Sequence, residues 1–228
     1  MKTSFPPVYN EGMKKTLLIS VLFFVLVSGV AAYNVDARLG LVWANTHITD
    51  PNPSRTAISR GDADINGLGV SIGTTVEYYN DSAFWADVSF VFPGDFRFNG
   101  ETIPIRANSY LFYSDIAAGG ALTFDMKNFE LYLGLGYSIC ELFYRYDISN
   151  SVYREYSLSA SGPAAYLAAK MDLGREFSIQ LTAIPTLTIY TNRVTKDRGT
   201  YADRNKVKDF IFKTGFAINA SLSVVYTF

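Results

Sequence analysis

Phe129-Glu130-Leu131-Tyr132-Leu133-Gly134-Leu135-Gly136-Tyr137-Ser138-Ile139 is the stretch whose reading decides the fold. Large apolar or aromatic side chains hold every odd position, while Glu, Tyr, Gly, Gly and Ser hold the even ones. Successive side chains on a strand point to opposite faces, so this is a strand with one oily face and one small or polar face. Wound as a helix, the same residues would scatter their apolar groups around the whole circumference.

The alternation recurs outward from there. Further runs lie near 35–44, 68–78, 84–92, 110–124, 156–172, 177–189 and 212–228, giving eight predicted strands, with 156–172 the least regular. Short turns are expected at Asn80-Asp81-Ser82, Met126-Lys127-Asn128 and Leu173-Gly174-Arg175-Glu176, and long polar loops near 45–65, 93–108, 147–155 and 191–208. An even strand number, with short turns at one end and long loops at the other, is the pattern of an antiparallel transmembrane barrel. Each apolar face is deep enough to cross a bilayer. Aromatic residues cluster at both of its ends, with Tyr78, Phe84, Phe124, Phe129, Phe177, Tyr226 and Phe228 at the short-turn end and Trp43, Phe92, Tyr110, Phe112 and Phe210 at the loop end, as two interfacial belts. A water-soluble sandwich or lipocalin-type barrel would turn the oily face inward instead. The other face mixes Gly, Ala, Ser and Thr with single charges, which suits a narrow solvated interior better than an oily cavity.

Composition removes several classes of function. The chain has 228 residues, 49% of them apolar and 15% aromatic, with a net charge of −1. That balance excludes a disordered chain and argues against a nucleic-acid partner. One Cys excludes a disulfide scaffold and a cysteine-held metal, and a single His argues against a His-cluster metal site or a His-paired triad. No nucleophile with a nearby base, phosphate loop or paired acid emerges, so neither an enzyme nor a bound cofactor is expected. Cys140 reads as a free interior thiol and His47 as a residue of the first strand's rim. Asn80-Asp81-Ser82 and Asn219-Ala220-Ser221 match the glycosylation pattern by accident of composition.

Lys14-Lys15 precedes an uncharged run over 16–35 that ends in Ser28-Gly29-Val30-Ala31-Ala32. A basic start, an apolar core and small residues after it read as a signal peptide over 13–32, cut near Ala31 or Ala32. The rival reading is a membrane anchor, for which the apolar core is short. Residues 1–12 then lie upstream of a true start at Met13, and 33–228 form the barrel.

With these features the chain resembles the small eight-stranded outer-membrane proteins of bacteria, of the OmpW, OmpX and OmpA-membrane-domain type. The closing run Phe216-Ala217-Ile218-Asn219-Ala220-Ser221-Leu222-Ser223-Val224-Val225-Tyr226-Thr227-Phe228 ends on an aromatic. It looks like the C-terminal signal read by the barrel-assembly machinery, with Tyr226 and Phe228 carrying it. The run 129–137 is similar to a segment common in OmpW-like barrels. The resemblance implies an outer-membrane location with lipid as the main partner, and it gives no periplasmic peptidoglycan-binding domain.

If the faces are assigned correctly, Asp36, Arg38, Glu77, Asp87, Asp115, Glu130, Lys170, Gln180 and Lys213 point into the lumen. Charges in so narrow a space must be paired. They form either an internal salt-bridge plug that fixes register or a gate for small solutes. Pro163 and Pro185 fall inside predicted strands, where each removes a ladder donor. A turn centred on Gly174 would set them opposite each other. They mark either a tolerated bulge or a weak seam, similar to the lateral opening proposed for OmpW-like barrels. The loop 191–208, with Arg193, Lys196, Arg198, Arg204 and Lys206, is either a solvated loop or a contact for lipid headgroups or a host polyanion. The leading functional expectation is a narrow outer-membrane channel for small, apolar molecules. The alternative is a surface adhesin or structural protein that acts through its loops on a host ligand.

Overall fold

Ten strands account for nearly all of the residues described by the computed structural model, namely 34–48, 63–78, 81–98, 101–102, 110–127, 129–149, 152–197 and 215–228. The strands are β1 (Asn34–Ile48), β2 (Ala63–Tyr78), β3 (Ser82–Phe98), β4 (Glu101–Thr102), β5 (Tyr110–Met126), β6 (Phe129–Ser149), β7 (Val152–Asp172), β8 (Phe177–Thr188), β9 (Tyr190–Asp197) and β10 (Gly215–Thr227). The long ones pair antiparallel in the order β2-β1-β10-β8-β7-β6-β5-β3, and β2 pairs β3 to close the ring. The result is a closed eight-stranded antiparallel barrel. Closure removes every free strand edge from the wall. The signal peptide expected over 13–32, the extension 1–12, and the residues Lys213 and Phe210 lie outside the described residues.

Alternation does the folding work. On β1 the inward residues Asp36, Arg38, Val42, Ala44 and Thr46 are buried, while Leu39, Leu41 and Trp43 between them face out. The same holds around the ring, where Leu135 is 77% exposed and Leu41 72%. More than twenty large apolar side chains lie on this outer surface. Removing each from water is worth about 1.5–3 kcal/mol, so leaving the band wet costs tens of kcal/mol. A folded domain has only about 5–15 kcal/mol of stability to lose, so the band belongs in lipid. Edge-on aromatic contacts finish it at the short-turn end, where Phe177, Tyr226 and Phe228 pack at centroid distances of 5.3 and 4.8 Å.

Three expectations about the connections are corrected. The stretch 147–155 is no long loop: β6 and β7 are strands of 21 residues each that run into it from both sides, and Ser149 pairs with Val152. The first part of 191–208 is likewise a strand, β9, which pairs with β7 from Arg154 to Ser161. It continues β8 after an irregularity at Ile189, whose N–H donates to the Ser161 carbonyl (2.9 Å). Outside the lipid no face has to be oily, so these segments lack the alternation that marks the wall.

The third correction concerns the prolines. The turn after β7 takes in Leu173 through Phe177, with the Leu173 N–H donating to the Phe177 carbonyl (2.9 Å). Asp172 therefore pairs with Ser178 and Met171 with Ile179. This turn is centred on Arg175, not Gly174, and the register moves by two residues. Pro163 and Pro185 do not face each other. At the short turn between β2 and β3 Asp81 adopts φ 55°, a left-handed conformation that Asp tolerates better than most residues.

Candidate functional site: the lumen and the wall between two strands

The lumen is built in three layers. Lowest, at the short-turn end, Lys170 from β7 holds Asp36 of β1 (3.0 Å) and Glu130 of β6 (2.8 Å), with Glu77 of β2 at 4.0 Å. The Tyr132 hydroxyl sits between Glu77 (2.6 Å) and Glu130 (2.7 Å). Asn34 donates to Glu77 (3.0 Å) and Thr227 to Asp36 (2.6 Å). One ammonium therefore faces three carboxylates, and neutral donors satisfy the rest. Asp36 and Lys170 are buried, whereas Glu77 and Glu130 are partly open toward the barrel end.

Above this network lies an aromatic stack. Trp85 and Tyr166, both fully buried, stack at 4.5 Å and 12°, and Tyr132 meets Tyr166 edge-on at 6.5 Å. Room for the indole comes from Gly134 and Gly136, where a Cβ would approach Trp85 to 2.9 and 2.8 Å. Arg38 crosses the lumen to donate to the Tyr166 hydroxyl and lies 3.5 Å from Asp87. Its other contacts are the carbonyls of Thr74 (3.3 Å) and Ala86 (3.2 Å). Gln180 donates to the Tyr166 hydroxyl (2.8 Å) and to Thr182 (2.9 Å). Asp115 stands a level higher and accepts from Ser138 (2.5 Å) and from the Asn219 amide.

The upper interior is oilier than the expected narrow solvated lumen of Gly, Ala, Ser and Thr with single charges. Val42, Ile48, Ile65, Val91, Phe96, Leu142 and Leu158 are buried there in one cluster. Ile48, Ile65, Phe96 and Leu142 fell in or next to segments expected as loops or in irregular ends of runs, so their inward direction was not legible.

The wall itself is interrupted at one place. β6 pairs with β7 without a break through Pro163, and β10 pairs with β8 without a break through Pro185. Between β7 and β8 the ladder runs from Asp172 to Leu167, which pairs with Ala183, then resumes only at Ala164 with Thr186. No pairing joins Ala165 to Pro185 or Tyr166 to Ile184. Continuing the register sets Pro163 level with Leu187, again without a pair. Each proline thus turns its hydrogen-free nitrogen to the same seam. Immediately above, a Cβ on Gly162 would come within 1.9 Å of the Leu187 carbonyl, so the strands are crowded there rather than bonded.

The structure brings together seven of the sequence-derived lumen residues, Asp36, Arg38, Glu77, Asp87, Glu130, Lys170 and Gln180, in the lower two layers, and leaves Asp115 above them. Sequence reading missed Trp85, Tyr132 and Tyr166 as the lumen's filling. The signal was present in Gly134 and Gly136, which leave room for a large side chain across the wall. His47 lies at the rim with Nδ1 2.6 Å from Asp64, and the Cys140 thiol is buried against the Ala160 carbonyl (3.4 Å).

No protein-family model and no curated protein matches the chain. Solved structures do. It is similar to the outer-membrane protein OprG from Pseudomonas aeruginosa, at 12% identity and TM-score 0.52, over 86% of this chain and 96% of that one. The outer-membrane protein AlkL, solved in lipid bilayers, gives 16% identity and TM-score 0.51 over 100% and 97%. Neisserial surface protein A gives 13% identity and TM-score 0.50 over 85% and 97%. At these identities the likeness is one of fold: the fold of small bacterial outer-membrane barrels.

Proposed function

We propose that this outer-membrane barrel admits small apolar molecules at its loop end and releases them sideways, between β7 and β8, into the lipid. The observation that carries the reading is the coincidence of both prolines on one seam, beside continuous ladders on either side. Hydrocarbon offers no substitute partner for the carbonyls left over, each costing several kcal/mol if unmatched. The seam is therefore the part of the wall that opens at least cost. A straight passage to the other side meets the aromatic stack and the Lys170 network, so ions and polar solutes are excluded. An oily molecule that parts the packed apolar cluster of the upper interior meets matching side chains there, and the seam lies beside it. No catalytic step is part of this reading.

The test is uptake of an apolar fluorescent dye into lipid vesicles carrying the refolded protein, together with planar-bilayer conductance. Dye transfer into the lipid without ion conductance is the expected result. Pro163→Ala with Pro185→Ala returns two donors to the seam and slows transfer. Equal rates in the variant and the parent would remove the lateral route.

A second reading has its own observation. A wall strand needs about 10 residues to cross the hydrocarbon, yet β6 and β7 have 21 each. With β9 they form a three-stranded fin beyond the lipid at the loop end. A fin of that kind suits an adhesin with a host ligand. Binding to host surfaces lost on shortening β6 and β7, with no dye transfer by the parent, would favour it.

A further inference from the structure

The upper lumen has two unlike sides. Its apolar cluster draws on β1, β2, β3, β5, β6 and β7 and takes nothing from β8 or β10. Those two strands turn Thr186, Thr188, Asn219 and Ser221 inward, with the apolar Ile184 and Ala217 among them, all buried. Two atoms of this polar sector have no hydrogen-bond partner, the Thr186 hydroxyl and the Asn219 carbonyl oxygen, on residues 1% and 4% exposed. Buried polar atoms are rarely left unmatched, and leaving one so costs about 1–3 kcal/mol.

Their position gives them a meaning. Thr186 forms the pair with Ala164 that stands directly above the unpaired stretch of the seam. Asn219 lies on the neighbouring strand opposite Ile184, level with that stretch. Diagonal neighbours on adjacent strands lie within reach of one polar group. An oily tail that parts this packed cluster therefore meets mainly apolar side chains of six strands, and a head has two unmatched oxygens beside the exit.

The chemistry of those oxygens selects the head. The Asn219 oxygen only accepts, so the head must donate a hydrogen bond. The Asn219 nitrogen is occupied by Asp115, whose two partners, Ser138 and Asn219, are both neutral. A carboxylate head has no hydrogen to give the Asn219 oxygen. An ammonium head would have to carry its charge into hydrocarbon on leaving through the seam, at a prohibitive cost. We infer that the site takes an amphiphile with an uncharged hydrogen-bond-donating head, such as a medium-chain alcohol, in preference to a plain hydrocarbon or a fatty acid. This rests on the lateral route proposed above and names its cargo.

Fluorine NMR on the protein in phospholipid nanodiscs tests it, with 8-fluorooctan-1-ol, 1-fluorooctane and 8-fluorooctanoate as probes and empty nanodiscs as the blank. The alcohol is expected to bind more tightly than the other two. Thr186→Val keeps the shape and removes the hydroxyl, and should weaken alcohol binding about threefold to tenfold, the size of one neutral hydrogen bond. It should leave 1-fluorooctane unchanged, and Thr186→Ser should restore alcohol binding. The gel mobility of unboiled samples confirms that each variant is folded. If 1-fluorooctane binds but Thr186→Val leaves the alcohol unaffected, or the carboxylate matches the alcohol, this inference falls and the lateral route stands. If no probe shows protein-dependent binding, both fall.

Discussion

Tyr166 is the side chain on which the lumen turns. Its ring lies on Trp85, its hydroxyl takes donors from Arg38 and Gln180, and its backbone borders the unpaired part of the seam. Tyr166→Phe keeps the stack but strands two buried donors, which costs about 1–3 kcal/mol of stability in urea unfolding from vesicles. Tyr166→Ala also empties the space beside Trp85, raising the cost to about 3–5 kcal/mol. It should speed apolar dye transfer severalfold, and a variant that leaves transfer unchanged would show that the ring does not close the seam. Lys170 is the second such residue. Lys170→Met leaves Asp36, Glu130 and Glu77 without their cation, and breaking a buried pair in this way costs about 3–5 kcal/mol, with less expected here because Glu130 is partly open to water. Urea midpoints of parent and variant in vesicles read the loss. The alternation made the inward direction of Asp36, Arg38 and Lys170 legible. It did not show who meets whom, because Lys170 and Asp36 lie 134 residues apart and only barrel closure brings them together.

At the scale of the strand, the wall was readable because lipid outside and a crowded lumen inside make opposite demands on successive residues. Where one demand lapses, the pattern lapses with it. The stretch 147–155, at the outer ends of β6 and β7, read as loop, although backbone pairing carries both strands into it. The turn after β7 was misplaced for a different reason. Gly174 is the residue a tight turn would use, but the wider turn over Leu173 to Phe177 needs no glycine, and a Cβ there would touch nothing within 4 Å. That shift of two residues took the prolines out of opposition while leaving both on the same seam. A sharp prediction follows for Pro185→Ala. Most substitutions in a membrane wall destabilise it, but this one supplies an N–H to the Ala165 carbonyl and should stabilise the barrel by about 0.5–1.5 kcal/mol. The urea midpoint in vesicles reads it. A lower midpoint would mean that the strands have already adjusted to the gap and that nothing is stored there.

The whole molecule is an inside-out object, and its membrane placement rests on which face was turned outward. The closing contacts are modest: β1 and β10 pair from Asp36 with Thr227 to His47 with Phe216, Thr227 bonds Asp36, and the Phe228 N–H reaches the Val35 carbonyl. These fix the ring but do not decide its solvent. The outward band does, and Leu135 is its most informative member because it lies mid-strand on β6 and is the most exposed large apolar residue of the wall. In hydrocarbon, a charge at that depth has no partner. Leu135→Arg should therefore cost about 2–4 kcal/mol in folding into vesicles, the range for a cation on the lipid face near the bilayer midplane. In a water-soluble barrel the same change would be neutral or helpful, since it would cover exposed oil with charge. Refolding equilibria of Leu135→Arg in urea with vesicles present thus separate the two cases by sign as well as by size. A neutral result would mean that the outward band does not lie in hydrocarbon.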